Sequence, residues 1–178
     1  TKLKTPANVN LIKVNSAQEM LDSCFKLLPA DVAICAAAVA DWKPEEKSNK
    51  KIKKEADKQI QILSLIENPD ILFELSKKSK DRPELVVGFA AETEHLIENA
   101  LVKMERKGCD WIVANDVLDN DIFGSDFNSV CIISDKKQLN LENKTKEEVA
   151  EKIAEMIINY FNPRASKNSP SDLKLVKK

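Results

Sequence analysis

A chain of 178 residues with 43% hydrophobic and 32% charged residues is long enough to bury the core of one domain and too apolar to be disordered. Its formal net charge of -1 gives no whole-molecule attraction for nucleic acid or an anionic membrane. No stretch is long and apolar enough to span a bilayer, and the first residues do not follow a signal-peptide pattern.

Val9–Val14 (VNLIKV) reads as a short strand. Ser16, with Glu19 three residues on, is a capping-box pattern; Met20, Leu21, Cys24, Leu27 and Leu28 then recur at helical spacing until Pro29. Val32–Ala38 is a short apolar run bounded by turn signals, which marks a strand covered on both faces. Gln59–Leu65 (QIQILSL) alternates as a further strand. Asn68 and Pro69 fit the cap and first position of a helix through Ile71, Leu72 and Leu75. Leu85–Ala91 (LVVGFAA) is another buried strand of small residues. A helix from about Thr93 to Lys107 turns Leu96, Ala100 and Met104 inward, with Gly108 as its stop. Trp111–Ala114 is a strand that ends in Asn115 and Asp116, and Asp116–Asn128 is a loop. Val130–Ser134 and Gln138–Leu141 resemble a hairpin edge. Thr145 and Glu148 open a closing helix that carries Val149, Ile153, Met156, Ile157 and Tyr160. From Asn162 onward Pro, Ser, Asn and Lys prevail, the composition of a disordered tail.

Alternating strands and helices predict an α/β fold, a Rossmann-like doubly wound, mostly parallel sheet with a C-terminal hairpin edge and a closing helix. Such sheets take their ligands at the carboxyl edge. The stretch Ile34–Lys54 would deliver Asp41 and the cluster Lys50, Lys51, Lys53 and Lys54 to that edge, a set suited to a polyphosphate and its metal. Read alone, the stretch fits a core strand and a solvated charged loop equally well. The only glycines are Gly88, Gly108 and Gly124, so the phosphate-cradling glycine-rich turn of a nucleotide domain is not among these residues. Either phosphate is held differently or the opening βαβ unit is not present here. Cys24, Cys35, Cys109 and Cys131 are scattered without a CxxC pair, and Cys24 and Cys35 fall in apolar segments. Buried free thiols in a reducing, cytoplasmic location fit better than disulfides or zinc.

Five motifs occur in order: ICAAAVADWKPEEKSNKKIKK, ENPDIL (Glu67–Leu72), VVGFAAET (Val86–Thr93), VANDV (Val113–Val117) and FGSDFNSV (Phe123–Val130). Together they resemble the synthetase domain of bacterial phosphopantothenoylcysteine synthetases, usually the second half of a bifunctional decarboxylase/synthetase. The resemblance covers roughly Pro6 to Phe161. It implies a phosphopantothenate–cysteine ligase of coenzyme A biosynthesis. In that reaction CTP activates the carboxylate of 4'-phosphopantothenate as an acyl-cytidylate, releasing pyrophosphate, and the cysteine amine displaces CMP. It further implies Mg²⁺, CTP as co-substrate, and FMN only where a decarboxylase half precedes the domain. The implied molecule is a cytoplasmic homodimer or larger homo-oligomer through the decarboxylase half, with Val130–Leu141 as a candidate contact and neither nucleic acid nor membrane as partner. The implied domain runs over residues 1–161, with the family's glycine-rich opening segment upstream of Thr1, and residues 162–178 form the tail.

Site residues follow from the resemblance position by position. Cys35, Ala36 and Ala37 match the strand end that approaches the nucleotide, and tight strand-to-helix packing is compatible with the same residues. Asp41 matches a nucleotide-site acid that would hold Mg²⁺ or a ribose hydroxyl; an isolated loop Asp otherwise caps or is solvated. Lys51 opens the KxKK motif completed by Lys53 and Lys54, where an ammonium would stabilise charge developing during acyl transfer. Without the resemblance that run is a solvated loop. Pro69, Asp70, Ile71 and Leu72 match the segment that contacts the base, where free N–H groups of a helix start can pair with cytosine acceptors. Phe89 matches a nucleotide contact, although an aromatic there also suits a core. Lys103 and Lys107, one helical turn apart, can reach one anion or simply offset the helix dipole. Asn115 and Asp116 end a strand at the ligand edge and are assigned no specific step. His95, the only histidine, reads as surface decoration and not as part of a catalytic triad. The alternative from a different class is a nucleotide-binding or dimer-forming module without activity of its own. An unrelated α/β ligase or transferase is disfavoured by the ordered motifs.

Overall fold

The computed structural model describes residues 3–46, 62–92, 94–116, 127–134, 137–162 and 174–175. Its centre is β4 (Leu85–Glu92), buried over most of its length between β1 (Val32–Cys35) and β5 (Trp111–Asp116), both parallel to it. The sheet continues antiparallel through β6 (Phe127–Ser134) and β7 (Lys137–Thr145) to β8 (Lys174–Leu175), giving the order β1-β4-β5-β6-β7-β8. The Rossmann-like α/β arrangement, its hairpin edge and its closing helix are all present.

Strand periodicity sorts the apolar residues onto two faces. Val86, Ala90, Ile112, Ala114, Cys131 and Ile133 pack with Leu72 and Ala100, under α2 (Ile71–Lys77) and α3 (Leu96–Lys107). Leu85, Val87, Trp111, Val113, Val130 and Ile132 pack with Val149 and Ile153 of α4 (Lys146–Phe161). Leu85, Ile112, Ile132 and Ile133 are fully buried. Each such side chain stabilises the fold by roughly 1.5–3 kcal/mol relative to exposure. Helix α1 (Ala17–Lys26) joins α2 through Leu21, Ile71 and Leu75.

Helix ends follow local chemistry. Ser16 Oγ accepts from Glu19 N–H at 3.2 Å, and Asn15 N–H donates back to Glu19 at 2.8 Å. Thr145 and Glu148 close a complete capping box on α4. The backbone N–H of Thr145, with Lys144 alongside, holds the Glu148 carboxyl below its ordinary range. Gly108 ends α3 at φ 71°, where a side chain would be strained. At the amino edge of the sheet, Arg82 meets the Asp110 carboxylate at 3.0 and 3.1 Å and donates to Ser76 O at 2.7 Å. Asp110 also accepts from Val86 N–H at 2.7 Å, so one ion pair joins α2, β4 and β5.

Several boundaries differ from expectation. Val9–Val14 is not a strand; Val9, Leu11 and Ile12 lie exposed with no ladder partner among the described residues. Strand β1 stops at Cys35, and Ala36–Ala40 continue as irregular backbone. Of Gln59–Leu65, residues 59–61 lie outside the described set. The strand that forms nearby, β3 (Leu65–Glu67), pairs with β2 (Trp42–Pro44) inside what read as a polar loop. Helix α2 is capped by Asp70, whose carboxylate accepts from Phe73 N–H at 3.1 Å, and not by Asn68. Helix α3 begins at Leu96 because His95 adopts φ 48°, outside helical geometry. The tail expected to be disordered contributes β8 against Lys137 and Gln138.

Candidate functional site

The carboxyl ends of β1, β4 and β5 open into a cleft of about 680 Å³. Its floor is the irregular segment after β1, where Ala36, Ala37 and Ala38 are exposed. With no bulk beyond Cβ, these residues leave their backbone open to a ligand. Asn68 fixes this segment in place: its Nδ2 donates to Ala40 O at 2.8 Å, and its backbone N–H donates to Asp41 O at 2.7 Å. The residue expected as a helix cap therefore ties the loop after β1 to the start of α2. Pro69, Asp70, Ile71 and Leu72 line the cleft beside it.

Lys103 and Lys107 project from α3 into the same space. Each has a carboxylate partner, Glu92 at 3.9 Å for Lys103 and Asp70 for Lys107. Asp70 thus uses one oxygen to cap α2 and the other to hold a cleft lysine. Phe89, half-buried, stands on the α4 side of the sheet with Ala91 beyond it. Asn115, Asn128 and Lys146 complete the lining. The side-chain oxygens of Asn115 and Asn128 are buried without a hydrogen-bond partner among the described residues.

Cys35 is a lining residue and not a nucleophile. Burial, then the neighbouring Cys24, Cys109 and Asp70, pushes its thiol up to about 11. At neutral pH it stays protonated.

The cleft brings together Cys35, Ala36, Ala37, Asp41, Pro69, Asp70, Ile71, Leu72, Phe89, Lys103, Lys107 and Asn115 from the set singled out in the sequence. Asp116 ends β5 in register with Glu92. Lys51, Lys53 and Lys54 lie outside the described residues. Among the described residues no group of three or more His, Cys, Asp or Glu could hold a metal. Asp41, exposed at the rim, fits Mg²⁺ only as a single carboxylate, with water and substrate phosphate oxygens as the remaining ligands. His95 is exposed just before α3, 3.4 Å from Glu98 and outside the cleft lining, so it takes no part in the cleft. Asn128 and Lys146 were not found from the sequence. Asn128 stood at the end of a presumed loop, and Lys146 is an ordinary first-turn helix residue.

Residues 1–161 match the family described as the DNA/pantothenate metabolism flavoprotein C-terminal domain. The chain belongs to this family. A member from Haemophilus influenzae, the coenzyme A biosynthesis bifunctional protein CoaBC, is 39% identical over 160 residues, covering 89% of this chain and 39% of that protein. The protein of the same name from Borreliella burgdorferi is 36% identical over 159 residues, covering 88% of this chain and 40% of that one. The chain thus spans about two fifths of the length of these curated relatives. The crystal structure of a CoaBC C-terminal domain superposes with a TM-score of 0.71 at 32% identity, covering 91% of this chain and 71% of that one. No helix among the described residues is long and apolar enough to cross a membrane.

Proposed function

We propose that this family domain is the phosphopantothenate–cysteine ligase of coenzyme A biosynthesis, working in the cytoplasm with CTP and Mg²⁺. The observation that carries the reading is the cleft itself. Residues matched through four of the motifs converge on one cavity at the carboxyl edge of the sheet. The similarity to proteins called coenzyme A biosynthesis bifunctional protein supports the same pathway.

In this reading the exposed backbone of Ala36–Ala38 and the first turn of α2 take the base. Lys103 and Lys107 neutralise the triphosphate, exchanging Glu92 and Asp70 for phosphate oxygens. Attack of the phosphopantothenate carboxylate on the α-phosphorus forms the acyl-cytidylate and expels pyrophosphate. The cysteine amine then attacks the acyl carbon, CMP leaves, and the amide remains. Lys51, with Lys53 and Lys54, supplies positive charge during acyl transfer. Mg²⁺, when bound, offsets phosphate charge next to Asp41. FMN enters only with a decarboxylase half. Homodimers or larger assemblies form through that half.

The test is conversion of phosphopantothenate, cysteine and CTP to phosphopantothenoylcysteine, with CMP and pyrophosphate released in equal amounts. Calorimetric titration alongside should show CTP bound at least about tenfold more tightly than UTP, because uracil leaves buried polar groups unpaired at roughly 1–3 kcal/mol each. CTP binding without turnover would favour the nucleotide-binding module instead. Preference for ATP would move the domain to an ATP-using reaction.

A further inference from the structure

We propose that the regular half of the β7 edge, Lys137–Leu141, is a strand-docking surface for a second copy of the chain, and that the chain's own β8 occupies it and keeps it closed. The proposal is independent of the chemistry in the cleft. It begins with the sheet order. β7 is nine residues long, the longest strand among the described residues, and β8 alone lies between it and the end of the sheet. A long edge strand presents a row of N–H and C=O groups on which another strand can build.

The two halves of β7 differ in how they offer that template. Between the pairs Asn128–Lys144 and Val130–Leu141 the register shifts, and β7 carries the extra residue. Asn143 absorbs it at φ 48°, and its N–H donates to Ser129 Oγ at 3.1 Å. A bulge bends and twists its strand, so this half turns away from a would-be neighbour. From Lys137 to Leu141 the ladder with β6 is unbroken. Leu139 and Leu141 anchor that stretch beneath α4, together with Val130 and Ile132. It is here that β8 pairs, with Leu175 opposite Lys137 and Lys174 opposite Gln138. The bulge blunts one half of the edge and β8 covers the start of the other. β8 lies beyond residues 1–161, which make up the family domain, so the cover is an addition to that domain.

The second copy as competitor follows from the residues of the stretch. Antiparallel pairing of Lys137–Leu141 with its own copy about Leu139 sets Lys137 opposite Leu141 and Gln138 opposite Asn140. No like charges meet, and the two-fold axis makes the contact isologous and closed. β8 prevails because it is tethered to the end of α4 through residues 163–173. A short tether gives a millimolar effective concentration, roughly a thousandfold above a second copy at micromolar concentration.

The experiment is sedimentation velocity, with a parallel thermal melt, on the unmutated chain, a chain truncated after Asn162, and the double variant Lys174→Pro, Leu175→Pro. Proline removes the ladder donor at both β8 positions. Both variants should melt cooperatively and self-associate at least about a hundredfold more tightly than the unmutated chain. Adding Gln138→Lys and Asn140→Lys to the truncated chain sets like charges opposite one another across the two-fold axis. That variant should return to the sedimentation behaviour of the unmutated chain. Identical sedimentation of the unmutated chain and both tail variants overturns the proposal. Association that survives the two added lysines places the contact elsewhere and overturns it too. Loss of cooperative melting in both tail variants would make β8 a structural part of the fold and not a cover.

Discussion

Lys107 is held in waiting by Asp70, a residue that also caps the neighbouring helix. The Asp70 carboxylate is 40% exposed, and ion pairs this open to solvent contribute about 1 kcal/mol or less to folding. In the proposed ligase reading, a bound triphosphate would offer the same ammonium several charged oxygens inside the cleft. Lys107→Met should therefore weaken CTP binding about tenfold, with the difference shrinking as salt rises. The melting temperature should change little. Calorimetry at two ionic strengths with a parallel thermal melt checks both parts. A large loss of stability with unaltered CTP affinity would make the lysine structural. At this scale the sequence singled out Asp41 and Asp70 within motifs and Lys103 and Lys107 by their helical spacing, and all four line the cleft. It was silent on Asn128, because orphaned oxygens arise from the packing around a residue and have no signature in residue type.

Among the elements, β4 and α2 are fitted to each other at Gly88. A Cβ on Gly88 would lie 2.7 Å from Leu72 Cδ2 and 3.4 Å from Cys109 Sγ. Leu72 stands in the first turn of α2, which lines the cleft. Gly88→Ala should cost about 1–3 kcal/mol through overpacking and push that turn outward. The expected result is a lower urea midpoint together with weaker CTP binding, and a midpoint change alone would detach the helix position from the site. The elements themselves were largely legible: small-residue strands, helical spacing and capping pairs mark β4, β5, α1 and α4. Their ends were not. Asp70 displaced Asn68 as cap because Asn68 is engaged across 28 residues with Ala40, a contact that no local pattern contains. Val9–Val14 has the right residues for a strand, but strandhood also requires a neighbour.

For the molecule as a whole, the four thiols set a limit at alkaline pH. Burial raises all of them above 9.0, Cys35 to about 11. A raised thiol keeps its proton in the folded state after the unfolded chain has lost it. Stability from this source is complete below about pH 9 and is lost as pH climbs through about 11. Urea midpoints should fall over that window, and Cys35→Ala should fall less. An identical decline in Cys35→Ala would assign the alkaline loss to other groups. The global architecture was the most readable level, since alternation of strands with helices admits few chain paths. The antiparallel extension to Lys174–Leu175 was hidden by a tail composition that favours disorder.

The ion pair of Arg82 and Asp110 sits at the amino edge of the sheet, while the cleft opens at the carboxyl edge. The amino ends of β4 and β5 are thereby anchored, while their carboxyl ends line the cleft. Substitutions around Ala36–Ala38, Phe89 or Asn115 touch none of the hydrogen bonds that join Arg82 and Asp110 to Ser76 and Val86. Substitution at the cleft end can therefore proceed while the ion pair at the other end stays in place. A library randomised along the carboxyl rim should yield mostly folded proteins, and one randomised around Arg82 should not.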